Sequence, residues 1–337
     1  MNNSQNTIVK KSPLKSISRV FTGNEQILII SIIALSTLIA IINPVFFSMN
    51  TVFDLLRTSV VVGIIAIGVA LVMINGGVDL SCMSIAIFAG YTSTRILTAL
   101  DIQGPIILMF LIGIVIGAIL GFLNSVFIAF FKLPIFVATL GLGVIYRGVM
   151  LQFIGHIYVT PANMPSSALA LADNVILGGL HITVFLLIGL MILAHILLRY
   201  TMVGRGIYAV GGSLASAHRA GYNVKRLNIL LYTFAGAMYA IGGVIHVAVA
   251  RFADPGQLVG TELVVISSVV LGGVSITGGK GTMLGVFLGT ILTILIRNNL
   301  ILVGVPSDWQ AFVFGFVLIC AITLQAYQRK REQRKLA

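Results

Sequence analysis

The sequence predicts an all-α protein, a polytopic membrane helical bundle of about ten transmembrane spans. Three observations lead there. Hydrophobic residues make up 58% of the 337 and charged residues only 9%, against about 25% charged in an ordinary soluble domain. Apolar runs of membrane-crossing length, about 20 residues, recur along the whole chain. The Lys and Arg between those runs gather in alternate loops, as they do when the cytoplasmic loops carry the cations. A net charge of +12 does not indicate nucleic acid, because so apolar a chain has no soluble face on which to spread a basic patch. One transmembrane domain, residues 26–327, is expected between a cytoplasmic N-terminal segment, 1–25, and a basic cytoplasmic tail, 328–337.

Residues 1–25 are polar and place Lys10, Lys11, Lys15 and Arg19 just before the first apolar run. That run is long for a signal-peptide core, no small-residue cleavage pattern follows it, and further spans come after. It is read as an uncleaved first helix with its N-terminus inside. The expected spans are 26–43, 55–74, 83–100, 105–131, 134–154, 175–198, 227–249, 262–275, 282–303 and 309–327, of which the third and eighth are short. With the first span running outward, both termini and the loops near 75–82, 132, 199–226 and 276–281 are cytoplasmic and hold 16 of the 21 Lys and Arg. Arg57, Arg95, Arg147, Arg251 and Arg297 fall toward the outside. Losing one span would put the basic tail outside. The longest outer loop, 155–174, contains Pro161 and Pro165 and no Lys or Arg, and reads as an exposed docking lip. Cys82 and Cys320 both sit in apolar runs and suggest neither a disulfide framework nor a metal site.

Five spans precede the basic loop 199–226 and five follow it. Five is odd, so a structural relation between the halves would be an inverted repeat, a recurring design for alternating access. The supporting pattern is a Gly-bounded interruption before a short span in each half, NGGVDLS at 75–81 and ADPGQLVGTE at 253–262.

Several stretches invite a role. The loop 199–226 carries Arg199, Arg205, His218, Arg219, Lys225 and Arg226 without a single acid. Its Gly204, Gly206, Gly211, Gly212 and Gly221 allow sharp turns, and Ser213 can cap a short helix over about Leu214 to Ala220. Such a helix either seats in a groove on a cytosolic partner or holds anionic membrane lipid. Asp79 is either a gate residue near the inner mouth or, with Ser81, a cap that receives backbone N–H groups at the start of the third span. Asn75 opens the same motif. Asn124, Thr139, Asn298, Asn299 and Gln310 are neutral groups that either line a path for an uncharged solute or bond helix to helix. Arg147 and Glu262 are expected on the same outer side, where each charge needs a partner, so they are expected to pair. The loop 274–282 reads VSITGGKGT. It lacks the first Gly of a Walker A motif and has Gly281 where Ser or Thr should follow the Lys, so it is a glycine turn and the chain has no ATP site of its own. The five histidines are scattered and carry no metal spacing.

Taken in order, NGGVDLS (75–81), GFLNSVFIAFFKLPIFVATLGLGVIYRGV (121–149), GRGIYAVGGSLASAHRAGYNV (204–224), VVLGGVSITGGKGTMLG (269–285) and RNNLILVGVPSDWQ (297–310) resemble the membrane-spanning permease subunit of bacterial ABC importers for ribose, autoinducer and related simple sugars. The resemblance covers about residues 40–325. Asn75 stands where that family usually has Thr, Cys82 and Met83 replace Val and Gly, Ser213 replaces an Asn, and the acid often found near Ala215 is absent. The resemblance implies that the loop around Arg205, Gly211, Gly212, Ser213, His218, Arg219, Gly221, Lys225 and Arg226 engages a separate ATPase subunit. It further implies a second permease copy or a paralogue, an extracellular sugar-binding protein, and the bacterial inner membrane. This chain would bind no cofactor, ATP being used by the partner subunits. Two other readings remain. An ion-coupled secondary transporter would need a coupling-ion site, usually a mid-membrane carboxylate or unwound carbonyls, whereas the acids here are expected mainly at span ends. A membrane enzyme would need an acid/base pair, nucleophile or metal cluster that the sequence does not offer.

Overall fold

The computed structural model describes residues 23–302, apart from 156 and 177, together with scattered positions between 306 and 323. Within them the chain forms α1 (Gly23–Ile42), a 3-10 turn (Pro44–Phe47), α2 (Met49–Ile74), α3 (Cys82–Ala99), α4 (Ile106–Ala129), and α5 (Ile135–Val149), which runs into one π turn (Met150–Ile154). There follow α6 (Ser166–Asp173), a hairpin of β1 (Val175–Ile176) and β2 (Leu180–His181), α7 (Thr183–Tyr200), α8 (Met202–Gly212), α9 (Leu214–Arg219), α10 (Val224–Ala250), α11 (Glu262–Leu271) and α12 (Met283–Leu302). Pro105, Pro134 and Pro165 stand immediately before α4, α5 and α6, the place where a missing N–H costs a helix nothing.

Among the described residues six helices are long and apolar enough to cross a membrane: α1, α2, α4, α5 with its π turn, α7 and α10. Two shorter apolar helices, Glu262–Leu271 and Met283–Asn299, accompany them. The third expected span, α3, has the length but is diluted by Ser84, Thr92, Ser93, Thr94 and Thr98. Most of the tenth, 309–327, lies outside the described residues, as do 1–22 and the tail 328–337. The sixth span, expected from 175, instead begins at Thr183. Gly178 and Gly179, at φ 78° and 142°, turn the chain there, so that Val175 pairs with His181 and Ile176 with Leu180.

Helix α10 is the spine, packed against α4, α3 and α2. Between lipid-embedded helices there is no hydrophobic drive, so close backbone approach has to supply the attraction. On α4, Gly113, Gly117 and Gly121 recur every fourth residue. A β-carbon on Gly117 would lie 2.3 Å from the Gly236 carbonyl oxygen, and one on Gly121 would lie 2.1 Å from that of Tyr232. The opposite face of α4 presents Ile107, Leu111, Val115 and Ile119 outward, a lipid-facing stripe at the same period. On the other flank of α10, a β-carbon on Gly243 would lie 1.8 Å from the Ala86 oxygen of α3.

The loops sort to two ends. At one end the C-terminus of α2, the end of α8 and the turn before α12 touch: Gly279 N–H donates to Ile74 O (2.8 Å) and the Tyr208 hydroxyl to Gly281 O (2.6 Å). Lys225 lies over the Phe130 ring, 5.5 Å from its centre, which brings the 130–132 loop to the same end. At the other end Val159 bridges Ala253, the Tyr91 hydroxyl donates to Gly155 O and Ile157 O, and Thr98 donates to Asn163 O. The expected grouping of loops 75–82, 132, 199–226 and 276–281 is therefore found at one end, with one exception: the chain does not stay there between 77 and 81.

Candidate functional site

Asn75 and Asp79 mark how far the interruption before α3 travels. The Asn75 amide donates to Asn228 Oδ1 (3.0 Å) near the start of α10. The Asp79 carboxylate accepts from the Tyr239 hydroxyl (3.1 Å), eleven residues further along the same helix, or about 16 Å at 1.5 Å per residue. The segment thus leaves the loop-bearing end and dives into the bundle, and α3 starts at depth. This is why α3 runs to no more than 18 residues. Asp79, deep and fully buried, is an exception to the expectation that the acids lie mainly at span ends.

A buried carboxylate is tolerated only when its oxygens are filled. Asp79 Oδ1 accepts the Ser81 N–H (2.8 Å) and the Ser81 hydroxyl (2.6 Å), so the expected cap comes from Asp79 and not from Ser81, whose own side chain caps nothing. Ser81 Oγ in turn receives the Asn124 amide (2.7 Å). Asn124 Oδ1 receives the Tyr146 hydroxyl (2.8 Å). Thr139 receives the Leu80 N–H (3.1 Å) while donating to Ile135 O (2.9 Å). One polar web therefore ties α3, α4, α5 and α10 together at the break. Asp79, Asn124 and Thr139 are all fully buried and cross-link the helices. Tyr146 and Tyr239 complete the web, and the sequence reading missed both. An aromatic within an apolar run looks like packing until its hydroxyl is seen to have a partner.

Of the other polar candidates, Asn298 is exposed and joins α12 to α2 through Thr58 (3.0 Å). Asn299 is buried and donates to Leu295 O (2.8 Å) on its own helix. Gln310 lies outside the described residues. Arg147 and Glu262 are both half-buried but do not form the expected pair. An ion pair forms instead between Arg251 and Asp173, which staples the C-terminal end of α10 to α6 within the loop cluster at the end opposite the basic loop.

The basic loop 199–226 is more ordered than expected. Residues 202–212 form α8, capped by Thr201 Oγ1, which accepts the Gly204 N–H (3.1 Å). Its glycines are therefore not turns. Gly204 makes the tight elbow onto α7, where a β-carbon would meet Leu197 O and Leu198 O at 2.3 Å, and Gly211 lets α8 reach the end of α2. The short helix does form as expected, over Leu214–Arg219, with Ser213 Oγ accepting the Ser216 N–H (3.3 Å). Gly221, at φ 82°, supplies the one sharp turn, and Asn223 caps α10 by accepting the Arg226 N–H (3.0 Å). Burial pushes the Tyr208 phenol up, so at neutral pH it stays a donor to Gly281. Arg199, Arg205, Gly212, His218, Arg219, Lys225 and Arg226 are all exposed, as are Lys132 and Lys280 at the same end. What results is a basic arm of two helices, its tip exposed and its root wedged against the break and the glycine turn. Among the described residues no His, Cys, Asp or Glu cluster could hold a metal.

Comparison with known proteins finds relatives along most of the chain. A family model described as the branched-chain amino acid transport system permease component matches residues 51–322. The chain is 32% identical to the autoinducer 2 import system permease protein LsrC of Enterobacter sp. (strain 638), over 91% of this chain and 89% of that protein. It is 30% identical to the ribose import permease protein RbsC of Escherichia coli (strain K12), over 88% of this chain and 92% of that protein. It is 29% identical to RbsC of Haemophilus influenzae over 90% of this chain. No solved structure matches.

Proposed function

The chain belongs to the family of permease components of branched-chain amino acid transport systems, and on that premise we propose that it is the membrane subunit of an ATP-binding-cassette importer for a simple sugar. The substrate class is a ribose-like pentose, a hexose or a related furanose, in line with what the ribose and autoinducer 2 permeases are named for. The subunit works with a second copy or a paralogue, a separate ATPase subunit and an extracellular sugar-binding protein, in the bacterial inner membrane with both termini in the cytosol. Its two halves form an inverted five-plus-five repeat that rocks around the break before α3. Arg147, Glu262 and Asn298, which reach the surface, are its candidates for the path, with Gln310. Asn75, at the inner root, is its candidate gate.

The observation that carries this reading is the basic arm 199–226, together with relatives matched along almost the whole chain. An exposed, acid-free pair of short helices at a loop-bearing end fits a groove on an ATPase partner, and this chain has no phosphate-binding loop with which to hydrolyse ATP itself. Charge reversal of Arg219 with Lys225 is expected to abolish solute uptake in membrane vesicles while the chain still inserts and the complex still turns over ATP. Wild-type uptake in that double variant would remove the arm from the mechanism. The buried carboxylate Asp79 lends a second reading, proton-coupled transport, one favourable feature. Uptake by the purified chain alone, driven by an ion gradient without ATP, would decide for it.

A further inference from the structure

We propose that Gly211, Gly278 and Tyr208 are the positioning residues through which the basic arm moves the break before α3, by a direct backbone-to-backbone clasp. The inference rests on the reading above, in which the arm meets an ATPase, and adds the route by which its motion enters the membrane.

Three segments that are far apart in sequence meet with almost no side chain between them. A β-carbon on Gly211 would lie 1.8 Å from Ile74 O and 2.6 Å from Gly279 N. One on Gly278 would lie 2.7 Å both from Gly211 O and from the Gly76 α-carbon, and Gly278 itself holds φ 88°. Gly279 N–H donates to Ile74 O (2.8 Å), so the turn 275–281 ties off the last carbonyl of α2, and the Tyr208 hydroxyl ties the arm to the far side of the same turn. Immediately beyond, Gly77 lies against the first residue of α5, where a β-carbon would be 2.3 Å from the Ile135 Cδ1. Two residues further stands Asp79, the hub of the polar web.

Long side chains between two moving parts can absorb a small displacement by changing rotamer. Backbones in van der Waals contact cannot, because packed interiors transmit strain and do not compress. A push on α8 at this point displaces the end of α2 and the turn before α12 together, and through Gly77 the start of α5. The glycines are required for that contact: a methyl at Gly211 would force the arm and α2 apart by more than an ångström, to restore the roughly 3.0–3.4 Å minimum of such contacts.

The test uses the whole complex, this chain with an ATPase subunit and a sugar-binding subunit, reconstituted in liposomes with ribose as the probe solute. Its readout is ribose accumulated per ATP hydrolysed. Gly211→Ala and Gly278→Ala are expected to lower that ratio at least about tenfold, while the ATPase chain still copurifies and hydrolyses ATP. Gly189→Ala, on α7 with nothing within 4 Å of the added carbon, is expected to leave the ratio unchanged. Tyr208→Phe adds no volume and is expected to lower the ratio about threefold with the melting temperature kept, so it carries the test by itself if the glycine variants fail to accumulate. A wild-type ratio in Tyr208→Phe and in every glycine variant that accumulates would overturn the clasp alone. Failure of the wild-type chain to bind an ATPase would instead overturn the reading on which it rests.

Discussion

Replacing Asp79 tests whether the buried web holds the broken helix at depth. The carboxylate receives the Ser81 N–H, the Ser81 hydroxyl and the Tyr239 hydroxyl, and all three residues are fully buried. Asp79→Ala leaves the Ser81 N–H and the Tyr239 hydroxyl as buried donors without an acceptor, at about 1–3 kcal/mol each. The Ser81 hydroxyl can still accept from Asn124, so it adds little. The sum is a loss of about 2–6 kcal/mol, well above the roughly 0.6 kcal/mol of an average bond between membrane helices. Asp79→Asn keeps one acceptor oxygen for the Ser81 pair and lets the Tyr239 hydroxyl rotate to accept from the new amide, so its cost is about 1 kcal/mol. Reversible unfolding of the purified chain in mixed micelles, followed by tyrosine and far-UV signals, gives both numbers. An alanine variant within about 0.5 kcal/mol of wild type, or an asparagine variant as damaged as the alanine one, would refute the claim that filled oxygens are what make this carboxylate tolerable.

Other expectations follow from the same geometry. Tyr146→Phe removes the bonds to Asn124 Oδ1 and Leu120 O. It is expected to cost about 1 kcal/mol and to couple with Asn124→Ala by at least about 0.5 kcal/mol in a double-mutant cycle; strict additivity would contradict the web. Gly236→Ala puts a methyl 2.1 Å from the Gly117 oxygen, so α4 and α10 separate at a cost of about 1–3 kcal/mol or more. Size-exclusion chromatography of a fluorescent fusion should show loss of the folded peak. The His181 ring is fully buried and bonded to Thr183 (2.7 Å); burial first and the charge of Arg57 second hold it below its ordinary value. Protonation is thus harder in the folded hairpin than in the opened one. Its stability is present above about pH 6.5 and is lost as pH falls below that toward the lowered folded value. Amide exchange at 174–182, corrected for intrinsic rate, should speed up between about pH 7.5 and about pH 5.5, and His181→Asn should remove the dependence.

The amino-acid order by itself determined the class of protein. An apolar run declares a membrane helix wherever it lies, because the bilayer asks only for length and transfer energy. Local chemistry was equally readable: Ser213 capping Leu214–Arg219 and the turn at Gly278–Gly281 depend on a few neighbouring residues. The repeat of Gly113, Gly117 and Gly121 was also there to be read as a packing stripe, though not as the seat of α10. Only the tertiary structure decided that Asp79 meets α10 about 16 Å further along than Asn75 does, that Tyr239 and Tyr146 serve it and its neighbours, that Arg251 and not Arg147 finds an acid, and that Gly211 is a contact and not a turn. Each of these turns on which residue of a remote segment comes within about 3 Å, and in a bilayer that is set by how closely whole helices can approach. The identity of any single residue carries no information about such a distance until its partner across the bundle is in place.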